Sequence, residues 1–189
     1  MNPHLTAESL ALFEKYLHRS ENYAEVGSGG STLYALQLPN IKHVWSVESD
    51  RAWYEKLKSQ SVYKANQERI TYLLADLKCK PNDWGNPSEL TTLQDKENYS
   101  SALLQHPVEK FSCVLLDGRF RVACALKLHA HLSNECVVLL DDFVSRSFYN
   151  VVLKYFDVLE KSDSMIALAK KPNVTVPSEE IREYVQKQH

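Results

Sequence analysis

The sequence predicts an α/β fold in which helices cover both faces of a doubly wound, mainly parallel sheet. Short apolar segments typical of buried strands alternate with segments of helical periodicity along most of the chain. The fourth and fifth strand segments are apolar on both faces, as expected for strands inside a parallel sheet. Because crossovers between parallel strands are right-handed, these units form a doubly wound sandwich.

The predicted elements follow one another in a regular order. A helix over 6–18, with Thr6 as its N-cap, precedes the first strand. Two segments near the end predict a closing antiparallel pair of strands, over 157–160 and 165–169. The remaining strands are predicted over 23–26, 43–47, 70–74, 111–116 and 136–140, and the remaining helices over 31–38, 51–57, 120–132 and 146–155.

The length of 189 residues predicts one domain over 1–189. The stretch over 80–106 is too long and polar for a simple connection. We interpret it as an insertion with short helical pieces, either a lid or substrate wall at the ligand-binding end or a plain surface excursion. The tail from 172 onward is polar and predicted to be partly helical at most.

Composition indicates a soluble, cytoplasmic protein. The net charge is −2, which disfavours nucleic acid as a partner, and no apolar run is long enough to span a membrane. The first twelve residues lack the pattern of a secretory signal. The four cysteines include no C-x-x-C pair and are predicted to be reduced thiols that fill the core. The sequence is compatible with a homodimer.

Acidic residues stand at or near the end of every predicted parallel strand. They are Glu25, Glu48, Asp76, Asp117, Asp141 and Asp142. Ligands of open α/β sheets bind at the carboxyl ends of the strands, so these side chains are candidates for a site. Short turns also favour aspartate, which explains part of the pattern.

A glycine loop, E-V-G-S-G-G, joins the first strand to the next helix. Gly27 and Gly29 allow a tight turn and a close approach to a ligand. A dinucleotide fingerprint would need Gly or Ala where Thr32 stands, and a Walker loop would need a lysine. The carboxylate of Glu25 suits a cationic ligand better than a pyrophosphate. A turn without a ligand is the alternative.

Two further strand ends suit a nucleoside. Glu48 is placed to accept hydrogen bonds from ribose hydroxyls, and Asp76 is placed to accept one from an adenine amino group. The alternatives are a solvated residue near a helix N-terminus for Glu48 and a turn aspartate for Asp76.

The ordered motifs Y-A-E-V-G-S-G-G-S-T, W-S-V-E-S-D, L-L-A-D-L and V-L-L-D-G-R resemble those of class I S-adenosylmethionine-dependent methyltransferases, over roughly residues 20–170. The resemblance implies a Rossmann-like seven-stranded sheet whose last strand is antiparallel, and S-adenosylmethionine as the cofactor. It implies Glu25, Gly27, Ser28 and Gly29 at the methionine part, Glu48 at the ribose, Asp76 with Leu77 at the adenine, and Asp117 beside the methionine amino group and the substrate. Ser31 and Ser49, in the same motifs, are also expected to bind the cofactor.

The expected reaction is methyl transfer to a small molecule. No N-P-P-Y or D-P-P-Y motif follows the fourth strand, which disfavours transfer to nucleobase or glutamine amino groups and favours oxygen. A non-catalytic S-adenosylmethionine-binding or interaction module is the main alternative, because a fold does not determine function. A different enzyme on this scaffold, such as an aminopropyl transferase, is a third.

Asp117, Asp141 and Asp142 are predicted to lie at the ends of two adjacent strands. Carboxylates so near to one another repel unless a cation lies among them. Mg²⁺ prefers hard oxygen ligands such as these. This placement resembles the metal site of catechol-type O-methyltransferases and predicts metal assistance at these three residues. Alternatively, Asp141 or Asp142 caps the next helix.

Two arginines follow Asp117 closely. Arg119 and Arg121 are placed to bind an anionic substrate group through bidentate hydrogen bonds, or else to be solvated residues at the start of a helix. We favour Arg119 for the functional role. Asp117 and Arg119 are therefore the predicted catalytic residues.

Overall fold

A seven-stranded sheet forms the centre of the structure, a computed structural model that describes residues 1–80 and 83–187. The strands are β1 (Asn22–Val26), β2 (His43–Glu48), β3 (Ile70–Leu74), β4 (Cys113–Leu116), β5 (Val137–Leu140), β6 (Phe156–Lys161) and β7 (Ile166–Lys170). Their order is β3-β2-β1-β4-β5-β7-β6, and β7 runs antiparallel to both of its neighbours. The predicted doubly wound, mainly parallel seven-stranded sheet is confirmed.

The strand register brings the candidate residues to one edge. Val26 of β1 pairs with Val47 of β2 and with Leu116 of β4, and Leu116 pairs with Leu140 of β5. The parallel strands β1 to β5 therefore end together, at what we call the carboxyl edge. Strand order reverses between β1 and β4, so this is the point where open α/β sheets bind ligands.

Seven α-helices cover the sheet within the described residues. They are α1 (Ala7–Leu17), α2 (Gly30–Gln37), α3 (Arg51–Lys58), α4 (Ser61–Ala65), α5 (Leu93–Ser100), α6 (Arg121–His129) and α7 (Ser178–Gln186). Side-chain caps begin three of them, α1, α3 and α5, the last through Thr92. Thr6 accepts a hydrogen bond from the Ser9 amide at the start of α1, as predicted, and Asp50 accepts two amides at the start of α3.

Some predicted elements differ in type or extent. The segment predicted as an α-helix over 146–155 is a 3₁₀ helix over Ser147–Lys154, and α6 ends three residues before the predicted limit of 132. The polar tail forms α7, whose Val185 is fully buried. Its Glu180 accepts a hydrogen bond from Lys154, so tertiary contacts stabilise a helix that the polar sequence hardly indicates.

Apolar layers pack on both faces of the sheet. Three of the free thiols, Cys113, Cys124 and Cys136, are buried in these layers, as the cysteine pattern predicts. The insertion over 80–106 carries α5 and a short 3₁₀ helix, Ala102–Gln105; its Pro81 and Asn82, like Gln188 and His189 of the tail, lie outside the described residues. None of the helices described is long and apolar enough to cross a membrane.

Candidate functional site

The glycine loop lies at the carboxyl edge, against the loop that follows β4. Gly27 has φ +95°, and a Cβ added there would stand 2.5 Å from the backbone nitrogen of Gly118. A side chain at residue 27 would therefore be both strained and blocked. A Cβ at Gly29 would meet nothing within 4 Å, so open space lies in front of the loop just before α2 begins.

Glu25 points away from that space. Its carboxylate is fully buried and accepts hydrogen bonds from four hydroxyl groups, those of Tyr23, Ser31, Thr32 and Ser46. Burial raises the pKa of Glu25, and the four hydroxyl donors oppose that rise. The direct contacts with the methionine part expected of Glu25 and with the cofactor expected of Ser31 do not match this geometry. Glu25 joins β1, β2 and the start of α2 behind the loop.

Glu48 connects the end of β2 to the glycine loop. Its carboxylate accepts hydrogen bonds from the Ser28 hydroxyl at 2.6 Å and from the backbone amides of Ser49 and Asp50 at 2.7 and 2.8 Å. Burial raises its pKa, and these donors oppose the rise. The Ser28 hydroxyl also contacts the Tyr72 hydroxyl, and the Trp53 indole donates to the Ser28 carbonyl. Tyr72 and Trp53 are site residues that sequence motifs alone do not identify.

The next strand end is only partly arranged as the motifs imply. The Asp76 carboxylate is accessible and lies 3.2 Å from Arg51 Nη2, while it also accepts the Lys78 amide. Leu77, in contrast, is fully buried in the core, and its amide donates to the Ser49 carbonyl. Asp76 is thus available to a ligand, whereas the Leu77 side chain is a packing residue in this structure.

Two segments cover the carboxyl edge. A Cβ at Gly30 would collide with the backbone of Asn2, and the His4 ring lies 5.4 Å from the Trp84 ring of the insertion. The Ser49 hydroxyl donates to the Gly85 carbonyl at 3.4 Å. The insertion therefore reaches the site, which supports its interpretation as a wall of the binding space over that of a surface excursion.

Arg121, at the start of α6, lies among the three aspartates. Its Nη2 is 3.1 Å from Asp117 Oδ1 and its Nη1 is 3.0 Å from Asp142 Oδ2. Its remaining donors bind the backbone carbonyls of Asp117, Gly118 and Asp141. The side chain is 6% exposed. A buried guanidinium with its donors engaged supplies the positive charge that the aspartates need.

The structure does not support the predicted Mg²⁺ site. Within 1–80 and 83–187, no group of three or more His, Cys, Asp or Glu side chains is arranged to hold a metal ion. Asp117 and Asp142 face Arg121, and the Asp141 carboxylate accepts a hydrogen bond from Ser164 at 3.1 Å. The prediction was wrong in treating the cation as external, because spacing along the sequence does not show that Arg121 turns inward.

Asp117 is a titratable group with a strongly altered environment at this edge. Burial is the main cause that raises its pKa to about 7; the carboxylates of Asp141 and Asp142 contribute to the rise, and Arg121 opposes it. Its side chain is nevertheless 29% exposed. A carboxyl group that is accessible and titrates near neutral pH is suited to accept a proton.

Arg119 lies beside Asp117 and beneath the insertion. Its backbone amide donates to the Tyr99 hydroxyl at 3.0 Å, and its guanidinium donates to the Trp84 carbonyl. Tyr99 is almost fully buried and packs against Gly118. The insertion thus orders the loop after β4, a contact between distant parts of the chain that local patterns do not reveal.

Comparison with solved structures finds a similar protein that matches nearly the whole chain. A methyltransferase-like protein from Silicibacter pomeroyi is 28% identical, with 98% of this chain and 96% of that chain covered and a TM-score of 0.81. Over nearly its whole length the chain is thus similar to a methyltransferase-like protein, in agreement with the resemblance of its motifs to class I S-adenosylmethionine-dependent methyltransferases.

More distant structures share the methyltransferase fold. An RNA methyltransferase from Salinibacter ruber, solved with S-adenosyl-L-homocysteine, is 13% identical over 93% of this chain and 97% of that chain, with a TM-score of 0.54. A protein from Staphylococcus aureus, provisionally assigned as a caffeoyl-CoA O-methyltransferase, is 14% identical over 90% and 86%, with a TM-score of 0.58. No protein-family model matches the chain, and no curated protein matches it.

Proposed function

We propose that this protein transfers a methyl group from S-adenosylmethionine to a small-molecule acceptor at the carboxyl edge of the sheet. One observation carries the proposal: Glu48 at the end of β2 is hydrogen-bonded to Ser28 of a glycine loop that borders open space. A carboxylate for ribose hydroxyls and a loop that a ligand can approach closely thus form one site. The 28% identical methyltransferase-like neighbour supports the same reaction class.

The residues present fit the cofactor in donor chemistry. Glu48 would hold the ribose, Asp76 would accept from the adenine amino group, and the loop over 27–29 would border the methionine part. When bound, the cofactor supplies a methyl group that is already electrophilic. The remaining task of the protein is to orient the acceptor, which contributes several kcal/mol to lowering a barrier.

Asp117 is the proposed proton acceptor. It stands at the end of β4, one residue before Gly118, which touches Gly27 of the glycine loop. An acceptor hydroxyl held between the two loops would be able to pass its proton to this carboxylate, so we favour oxygen as the methylated atom. Arg121 holds Asp117 in place, and the Asp117 side chain stays 29% exposed to solvent.

Binding of S-adenosylhomocysteine tests the proposal. We expect calorimetric titration to show micromolar affinity, and we expect Glu48→Ala to weaken binding about 10- to 100-fold because a buried, charged acceptor for the ribose is lost. Glu68→Ala, on the exposed surface, is the matched control. No binding by the wild type would contradict the proposal. Binding without transfer from labelled S-adenosylmethionine to any small acceptor or RNA in a panel would indicate the non-catalytic module instead.

The protonation of Asp117 is expected to be visible near neutral pH. Because its pKa is raised to about 7, the free carboxylate predominates only above that pH, and the transfer rate should rise with pH through this range. Carbon-13 NMR titration of the aspartate carboxyl groups should show one transition near pH 7 that is absent from Asp117→Asn. The same variant should lower the rate about 100-fold or more while it retains S-adenosylhomocysteine affinity. A transition near pH 4 for Asp117 would argue against this role.

A further inference from the structure

Among the residues that the structure describes, Arg119 is a cation at the carboxyl edge without an anionic partner. Its Nε and Nη2 both donate to one acceptor, the backbone carbonyl oxygen of Trp84, at 3.1 and 2.6 Å. No ion pair within 4 Å involves Arg119 in the part of the chain that the structure describes. Arginine has five N–H donors in a planar fork that matches an oxyanion, and here one neutral oxygen occupies part of that fork.

The surroundings of Arg119 disfavour its positive charge. Burial lowers the pKa of Arg119, and the nearby guanidinium groups of Arg121 and Arg146 lower it further. Partial burial next to like charges is costly for a guanidinium unless an anion compensates it. The phenol groups of Tyr99 and Tyr149 oppose the shift only in part.

The aspartates nearby do not supply that anion to Arg119. Asp117 and Asp142 are paired with Arg121, and Asp142 is also paired with Arg146 at 2.9 Å. Asp141 accepts from Ser164 on the far side of β5. Arg146, which also lies over the Tyr149 ring, shares its partner Asp142 with Arg121. Arg121 and Arg146 therefore engage the carboxylates of Asp117 and Asp142.

Arg119 also lies at the correct place for a substrate. Its amide is fixed by the Tyr99 hydroxyl, and it follows Gly118, which contacts Gly27 of the cofactor loop. The Trp84 carbonyl binds the guanidinium, and Trp84 itself is 74% exposed, so the guanidinium lies next to a solvent-exposed part of the insertion.

We propose that the methyl acceptor carries an oxyanion, a carboxylate or phosphate group, and that Arg119 binds it with Arg146 as the neighbouring cation. The inference rests on the proposed function and narrows its substrate to a small acidic molecule. The oxyanion binds the donors that the Trp84 carbonyl leaves free, and it supplies Arg119 with a negatively charged partner. Arg119 thereby orients the acceptor towards Asp117 and the glycine loop.

Oxyanion binding by the protein saturated with S-adenosylhomocysteine tests the inference. Inorganic phosphate and malonate are the probes, titrated by calorimetry at constant ionic strength with chloride as the replaced anion. We expect saturable binding on the order of 1 mM. Arg119→Gln should weaken it at least tenfold, and Arg119→Lys should weaken it less because the charge remains while the fork is lost. Arg182→Gln, on an exposed face of α7, should leave it unchanged.

The outcomes separate the inference from the proposed function. Stronger binding of malonate would identify the group as a carboxylate, and stronger binding of phosphate would identify a phosphate ester. Equal oxyanion affinity in the wild type and Arg119→Gln would overturn the inference and leave Arg119 as a tether of the insertion. Binding of a single-stranded RNA oligonucleotide that depends on Arg119, without binding of either small probe, would also overturn it. Failure of S-adenosylhomocysteine to bind would instead contradict the proposed function.

Discussion

Replacement of Arg121 by methionine is expected to lower the free energy of unfolding by about 3–5 kcal/mol. The substitution keeps a long side chain but leaves Asp117 and Asp142 without the guanidinium that lies 3.1 and 3.0 Å from them. It also leaves three backbone carbonyls without a donor. Removal of one partner from an ion pair in which the guanidinium is 6% exposed costs several kcal/mol, because the half-buried carboxylates and the carbonyls lose a partner that solvent replaces only in part.

Chemical denaturation at pH 8 measures this effect, with Arg182→Met as the matched control on an exposed helix. The midpoint of thermal unfolding should fall by roughly 6–20 °C in a chain of this size. EDTA should leave the stability of the wild type unchanged, since the internal guanidinium supplies the cation. Wild-type stability in Arg121→Met, or a loss of wild-type stability in EDTA, would show that another cation holds the aspartates.

Replacement of Gly27 by alanine is expected to weaken S-adenosylhomocysteine binding about 100-fold or more and to destabilise the fold. An alanine at φ +95° costs roughly 1–3 kcal/mol in backbone strain. Its Cβ would also stand 2.5 Å from the Gly118 nitrogen, so the loops after β1 and β4 would have to separate. Both loops border the proposed cofactor site, and their separation removes the close approach on which binding depends.

Gly29→Ala is the informative comparison, because a Cβ there meets nothing within 4 Å. Its free energy of unfolding should equal that of the wild type, while its affinity for S-adenosylhomocysteine should fall because the methyl group enters the space in front of the loop. Calorimetric titration and chemical denaturation of the two variants separate these effects. Unchanged affinity in Gly27→Ala would contradict the placement of the cofactor at this loop.

A positive charge supplied by Arg121 instead of a metal ion changes how an acceptor at the carboxyl edge would lose its proton. In a metal-assisted site, a substrate oxygen binds the metal and loses its proton there. Here Arg121 has its donors engaged within the protein, so in the proposed function it organises Asp117, and that carboxylate is the proposed proton acceptor. The two arginines therefore have different proposed tasks: Arg121 orders the edge, and Arg119 binds the acceptor.

Glu25 illustrates why a motif residue need not touch the ligand. The motif places a carboxylate two residues before Gly27, and its direction depends on which face of β1 is turned towards α2. In the structure that face carries the hydroxyl groups of Ser31, Thr32 and Ser46, so Glu25 is held behind the loop. Each of these hydroxyls was visible in the sequence, but their convergence depends on the packing of β2 and α2.

The sequence by itself determined the order of strands and helices, the glycine loop and the position of Glu48, Asp76 and Asp117 at strand ends. These features follow from local hydrophobic periodicity, from turn chemistry and from the shared edge of parallel strands. Only the tertiary structure decided that Arg121 lies among the aspartates, that α7 docks on the core and that the insertion reaches Arg119. The reason is physical: side-chain direction and contacts between distant segments arise from packing, which no local pattern encodes.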